Sequence, residues 1–214
     1  MSVEKIILRS FLSALMAIVI LLVFMVGMLV GCFPETMINV SYDMGMEKAS
    51  VWFAERSYKR HDKIETIAFA TTVAIEEGMY AKIISCGDLM IADEEFEEYC
   101  LSKDEENYAK YGDQTINGIA IIEILGSYDQ YVYAQICVAQ YKMGDGEGAV
   151  ERAKDLTVGF PRNNALACLF LQASSDGDEV LAQSLLGVIE GMNDEAWDDG
   201  DKDYREEILS VAKA

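Results

Sequence analysis

The side chains in this sequence that could do chemistry are few, and their spacing limits what they could do. One histidine, His61, stands in the run Tyr58-Lys59-Arg60-His61-Asp62-Lys63. A general base needs a nucleophile to deprotonate and a third group to orient it. Neither is evident near His61, which reads as a solvated position in the link between two helices. No Gly-rich phosphate loop, HExxH or GxSxG occurs. Asp199, Asp201 and Asp203 have the spacing of the first, third and fifth ligands of a calcium loop. The sixth position is Tyr204 where the loop needs Gly, and the twelfth is Ser210 where it needs Glu. An acidic start to a last helix accounts for that run. The sequence thus predicts no catalytic residue, no metal site and no cofactor. An enzyme or metal-dependent binder using those carboxylates is the chemical alternative.

The five cysteines, Cys32, Cys86, Cys100, Cys137 and Cys168, form no CxxC and are widely spaced. That pattern argues against zinc and against a disulfide framework. The last four read as small buried apolar residues, with one disulfide among them left open. The chain carries a net charge of −20 over 214 residues. After the apolar N-terminal run stand 36 acidic and 15 basic residues, so the body carries −21 and is expected to repel nucleic acid and anionic lipid. A basic partner suits such a surface.

Residues 11–33 read FLSALMAIVILLVFMVGMLVGCF, with no charged side chain anywhere in the run. A helix needs about 20 apolar residues to cross the hydrocarbon layer, against roughly 7–15 in a signal-peptide core. Length therefore favours an uncleaved transmembrane helix over 11–33. Lys5 and Arg9 precede it and Glu35, Asp43 and Glu47 follow it. By the positive-inside rule residues 1–10 stay in the cytoplasm and the C-terminal domain lies outside, in a single-pass protein of the cytoplasmic membrane. The alternative rests on Leu29-Val30-Gly31-Cys32, which resembles the lipobox of bacterial lipoprotein precursors. That resemblance implies a mature chain beginning at a lipidated Cys32.

The elements that follow repeat. Gly45, Gly78, Gly112, Gly144 and Gly177 recur at an almost constant interval along the chain. Each stands where a helical pattern ends and another opens, as a C′ glycine does. The expected helices are 48–59, 80–91, 116–125, 149–158 and 179–189 after these glycines, and 64–77, 131–143 and 165–174 before them. Val132, Ile136 and Ala139 share one apolar face, as do Leu181, Leu185 and Val188. The helix before Gly112 is polar and is expected to break near Ser102–Asp104. The tail, 193–214, reads as an acidic loop and a capping helix.

The best-formed unit, Gln130 to Pro161, resembles the tetratricopeptide repeat, a helix-turn-helix unit of about 34 residues. Tyr133 stands at its Trp position and Ile136 at its Leu. Gly144-Asp145 forms the turn, Ala149 is the small residue of the second helix, and Pro161 closes the unit. Gln140 and Ala153 depart from its Tyr and Phe. The resemblance implies an all-α fold: a TPR-like α-solenoid of about five helix pairs over 35–192, behind the N-terminal span. It also implies a concave groove lined by first helices and made to receive a protein or peptide. By register the groove positions are Tyr131, Ala134, Val138, Tyr141 and Lys142, then Asn164, Ala167 and Leu171, with Glu65, Ala68 and Thr72 from an earlier unit. The function expected is a non-catalytic, membrane-anchored scaffold. Its alternative is a lipoprotein subunit of a larger envelope complex in which the solenoid is purely structural.

Overall fold

Four of the five periodic glycines do what the sequence asks of them. In the computed structural model Gly45, Gly78, Gly144 and Gly177 have φ of 68°, 62°, 89° and 74°. The amide of the residue after each donates to the carbonyl five residues back: Met46 to Ser41, Met79 to Ala74, Asp145 to Gln140 and Asp178 to Ala173. This is the Schellman closure of a helix end, which a side chain at the glycine would strain. Gly112 is the exception. Its φ is −56°, in the right-handed region.

The structure describes residues 15–21, 23–25, 27–28, 34–116, 119–120, 126–156 and 160–191. Its helices are α1 (Pro34–Asp43), α2 (Glu47–His61), α3 (Ile64–Glu76), α4 (Tyr80–Ile91), α5 (Phe96–Tyr111), α6 (Tyr128–Lys142), α7 (Gly146–Asp155), α8 (Phe160–Asp176) and α9 (Glu179–Gly191). Between α5 and α6 lie β1 (Thr115–Ile116) and β2 (Ile119–Ala120), antiparallel with Ile116 opposite Ile119. Among the described residues of the body, regular structure is all-helical apart from this two-residue ladder.

Two expectations fail around Gly112. The helix expected over 116–125 is replaced, at its described residues, by the β1–β2 ladder. The residues joining the strands are Asn117-Gly118, the pair best suited to a two-residue hairpin, and β-branched Thr115, Ile116 and Ile119 flank it. The break expected at Ser102–Asp104 is absent, for α5 runs unbroken. It holds because Phe96 and Cys100 are buried on one face while most of the charged residues stay exposed. The fifth of the expected helix pairs would draw on 116–125, most of which lies outside the described residues. Among the described residues there are four, α1–α2, α3–α4, α6–α7 and α8–α9, with α5 and the ladder between the second and third.

Packing follows that division. Each helix of α1 to α4 packs on the next, and α4 then packs on α6, passing over α5. Beyond it, α6 packs on both α7 and α8, and α8 on α9. One buried core joins α1–α4, Phe96 and Cys100 of α5, and Val132, Ile136 and Ala139 of α6. A second joins Cys137 of α6 to α7, α8 and α9. Helix α6 thus belongs to both.

The turns sort to two ends. Gly45 and Glu77 border one hollow. Lys142 lies near Tyr80 and pairs with Asp176 at 2.6 Å, which brings the turns at Gly78, Gly144 and Gly177 to that same end. At the other end, Lys63 Nζ pairs with Glu35 Oε1 at 3.1 Å and Tyr58 donates to Asp93 at 2.7 Å. The start of α1 and the α2–α3 and α4–α5 connections meet there.

Of the expected span, residues 15–21, 23–25 and 27–28 are helical with every side chain exposed. Both ends of 11–33, with Cys32, lie outside the described residues, as do residues 1–10 and the tail 193–214. Among the described residues no helix is long and apolar enough to cross a membrane.

The tightest joint is between α4 and α6. A Cβ on Gly87 would lie 2.5 Å from Ile136 Cδ1 and 2.7 Å from its Cγ1. Gly87→Ala should cost about 1–3 kcal/mol by overpacking, read as a shift of the urea midpoint. Adding Ile136→Val should recover part of that loss, and strict additivity of the two changes would show that the side chains do not meet.

Candidate functional site

The expected groove positions separate into three groups. The small ones, Ala68, Ala134 and Ala167, are buried at 1%, 2% and 0% exposure and are closed to any partner. They let neighbouring helices approach closely. Glu65, Thr72, Tyr131 and Leu171 are exposed, and Val138, Tyr141, Lys142 and Asn164 are half-buried.

The exposed and half-buried members gather at two places. The first is aromatic. Tyr128 and Tyr131 of α6 have ring centroids 6.3 Å apart, and Tyr99 of α5 meets Tyr128 edge-on at 5.9 Å. Thr72 lies within hydrogen-bonding reach of Tyr128, and Glu65 is close enough to act on Tyr99. Lys103 Nζ stands 5.5 Å from the centre of the Tyr99 ring, a cation–π distance. Burial raises the pKa of Tyr99, Tyr128 and Tyr131, so the hydroxyls stay protonated. They offer hydrogen bonds and apolar area, and no nucleophile.

Helix α5 is held to this place by a polar contact. Asp104 accepts from the backbone N–H of Tyr128 at 2.8 Å, and Ser127 donates to Asp129 at 2.5 Å. A carboxylate at a helix start satisfies an orphan donor and suits the positive end of the dipole. Desolvation raises the Asp104 carboxyl pKa despite that bond. A hollow of about 730 Å³ lies beside it, lined by Phe96, Cys100, Asp104, Asp129, Tyr133 and Leu156 among others.

The second place is ionic. Lys142 Nζ lies 2.6 Å from Asp176 Oδ2, with Tyr141 beside the pair. Gln172 also donates to Asp176, at 3.1 Å. Next to it runs a network that ties α4, α6 and α7. Arg152 donates to Asp88 at 2.6 Å and to Gln140 at 2.8 Å. Gln140 donates to Asp145 at 2.7 Å, and Asp145 accepts from Gly148 N–H at 3.0 Å. Asp178 likewise accepts from Leu181 N–H. The Gly-Asp pairs at 144–145 and 177–178 therefore divide the work of the turn: glycine ends one helix and aspartate caps the next. Leu171 lines a separate hollow between α8 and α9, of about 360 Å³, with Phe170, Ala182 and Leu186.

His61 is the exposed last residue of α2. Cys86, Cys100, Cys137 and Cys168 are free thiols, and burial pushes the first three up to about 12. Among the described residues no three His, Cys, Asp or Glu side chains gather to hold a metal ion. Asp199, Asp201 and Asp203 lie outside the described residues.

Sequence reasoning missed Tyr99, Asp104 and Asp176. The first two belong to the helix expected to break. Asp176 stands one repeat period after Lys142, so equivalent helix ends in the next unit were the signal for it. A scan against family models and searches of curated proteins and of solved structures find no match for this chain.

The carboxyls of Asp145 and Asp176 are held below the usual range, by hydrogen bonds from Gln140 and from Lys142 respectively. A lowered carboxyl contributes stability that is present above its unfolded pKa of 3.8 and is lost as pH falls through the folded value. Lys142 is raised by the same bond, so its share is present below 10.5 and is lost as pH rises through its folded value. The melting temperature should therefore hold steady at neutral pH and drop on acidification below about 3.8. Asp176→Asn should flatten that drop while lowering the neutral value. An acid limb unchanged in this variant would exclude Asp176 from it.

Proposed function

We propose that this chain is a membrane-anchored, extracytoplasmic TPR-like scaffold, a solenoid that binds a protein or peptide partner and performs no chemistry. The observation that carries the reading is the direct packing of α6 on α8. Both are first helices of their units, and first helices set side by side make the inner wall of such a solenoid. On that wall Tyr131 keeps 41% exposure, beside half-buried Val138, Tyr141 and Asn164, while the alanines between are sealed. Tyrosine suits peptide recognition, since it combines apolar area with a polar tip at low entropic cost. The Lys142–Asp176 pair closes one end of the wall, and a basic partner matches the acidic body. The apolar helical run before Pro34, exposed throughout its described residues, supports the anchor.

Cross-linking in native membranes, followed by capture of the full-length chain, tests the groove. Tyr131→Ala with Tyr141→Ala should cut recovery of a specific partner by about tenfold or more, each lost anchor being worth about 1 kcal/mol or more. An unchanged set of captured proteins from a folded double variant would sink the assignment. The mass of the mature N-terminus decides the anchor: an intact start at Met1 fits a span, and a diacylglyceryl Cys32 fits the lipoprotein alternative.

A further inference from the structure

The acidic body carries one basic, aromatic stripe, on α2 and the residues just after it. Lys48, Arg56, Lys59, Arg60 and Lys63 gather five of the chain's 17 Lys and Arg residues into one short stretch. Only Glu55 and Asp62 oppose them in that stretch, and Glu55 is tied to Lys82. Within α2 the pattern Lys48, Trp52, Arg56, Lys59, Arg60 advances by four, four, three and one, which keeps these side chains on one side of the helix, and Lys63 follows beyond the left-handed Asp62. All are exposed, Trp52 at 44%, and the Arg56 guanidinium lies over the Trp52 ring at 5.4 Å. Trp52, Glu55, Arg56, Lys59 and Arg60 surround an open hollow of about 350 Å³.

Two facts place this stripe. The Lys63–Glu35 pair sets the basic end of α2 beside the first turn of α1. That turn starts shortly after Met28, the last described residue of the apolar run. The acidic run from Asp93 reaches the same end of the body, but by another side. Asp93 bonds Tyr58, which lies across α2 from the stripe among the buried residues Val51 and Ala54. The α2 edge is therefore positive while the α4–α5 edge is negative.

We propose that the α2 stripe is a membrane-contact surface that seats the body on anionic lipid headgroups, with Trp52 at the headgroup level. This rests on the anchored reading given above. Lys and Arg near an anionic surface each add to binding, and a tryptophan with one apolar face and one polar edge prefers that depth. An anchor joined to α1, whose first turn meets the stripe through Lys63 and Glu35, holds it at high effective concentration, so even a modest patch stays engaged. The overall negative charge then works with the stripe. It lifts the remainder of the body off the surface and leaves the inner wall of α6 and α8 in water.

The test uses the full-length chain carrying Trp197→Phe, so that Trp52 is the one tryptophan. It is placed in vesicles of phosphatidylcholine alone or mixed with phosphatidylglycerol. Flotation on neutral vesicles reads the anchor, and acrylamide quenching of Trp52 reads the stripe. In the anionic vesicles the quenching constant should fall severalfold, and it should return to its neutral-vesicle value at about 1 M salt, where screening acts within ~3 Å. Lys48→Gln with Lys59→Gln, which keeps the Arg56–Trp52 stack, should abolish the anionic protection without changing flotation or melting temperature. Equal quenching in both vesicles by a chain that floats would overturn the proposal and leave the anchor standing. Anionic protection in a chain that fails to float on neutral vesicles would uphold the stripe and remove the anchor. Stronger protection by an oligonucleotide or a phosphopeptide in neutral vesicles would assign the stripe to that ligand and overturn the lipid reading.

Discussion

The contact on which the structure depends is the absence of a side chain at Gly87. Helices α4 and α6 approach so closely there that Ile136 fills the space a Cβ would need. That approach joins two helical halves which the chain itself separates by α5 and the β1–β2 ladder. Ile136 belongs to the core of α1–α4, whereas its neighbour Cys137 belongs to the core of α7–α9. One helix buried on two sides in this way transmits position between the cores, because close-packed interiors do not deform smoothly. The polar network from Asp88 through Arg152 to Gln140 and Asp145 crosses the same joint at its surface. Exposed pairs of this kind contribute little stability each. Their value here is directional, for Arg152 of α7 reaches both Asp88 of α4 and Gln140 of α6, which already pack on each other.

Charge has a similarly local meaning. A total of −20 describes the chain poorly, since the basic residues are few and specifically placed. Lys82, Lys142 and Arg152 bridge neighbouring helices, while the α2 stripe gathers cations on one outer face. The expectation of repulsion from anionic lipid is drawn from net charge, and on the proposed reading of the α2 stripe that face is its exception. Screening over about 8–10 Å makes local charge decide contact, and net charge decide only approach.

The parts of the fold legible in the sequence were those with a backbone cause. A nearly constant glycine period marked the turns, and four of the five glycines adopt the left-handed conformation that the reading required. Helix α4 was read to the residue, Tyr80–Ile91. Around Gly112 the period held by spacing alone. There the polarity of α5 hides a helix seated by Phe96, Cys100 and the bond of Asp104 to Tyr128, and Asn117-Gly118 stands where the glycine period asks for a helix. At the site, register separated the faces of α6 and α8 but could not tell a buried Ala134 from an exposed Tyr131. Tyr99 and Asp104 come from a distant helix, and no local pattern announces a contact of that range.

The two ends of the body differ in what they can absorb. At one end stand the four glycine turns, each with a fixed backbone closure and a helix starting within one or two residues. A turn of that kind has no slack: one added residue rotates the next helix by about 100° and exposes its apolar face. At the end near Pro34 the connections close by side chains, through Tyr58 to Asp93 and Asp104 to Tyr128, and the longest of them holds a whole helix and a strand ladder. New chain length, whether natural or engineered, is accommodated there without disturbing the stack, since the ends of α4 and α6 are held by their own packing. A reporter or an affinity handle belongs on that side, and the glycine end is best left alone.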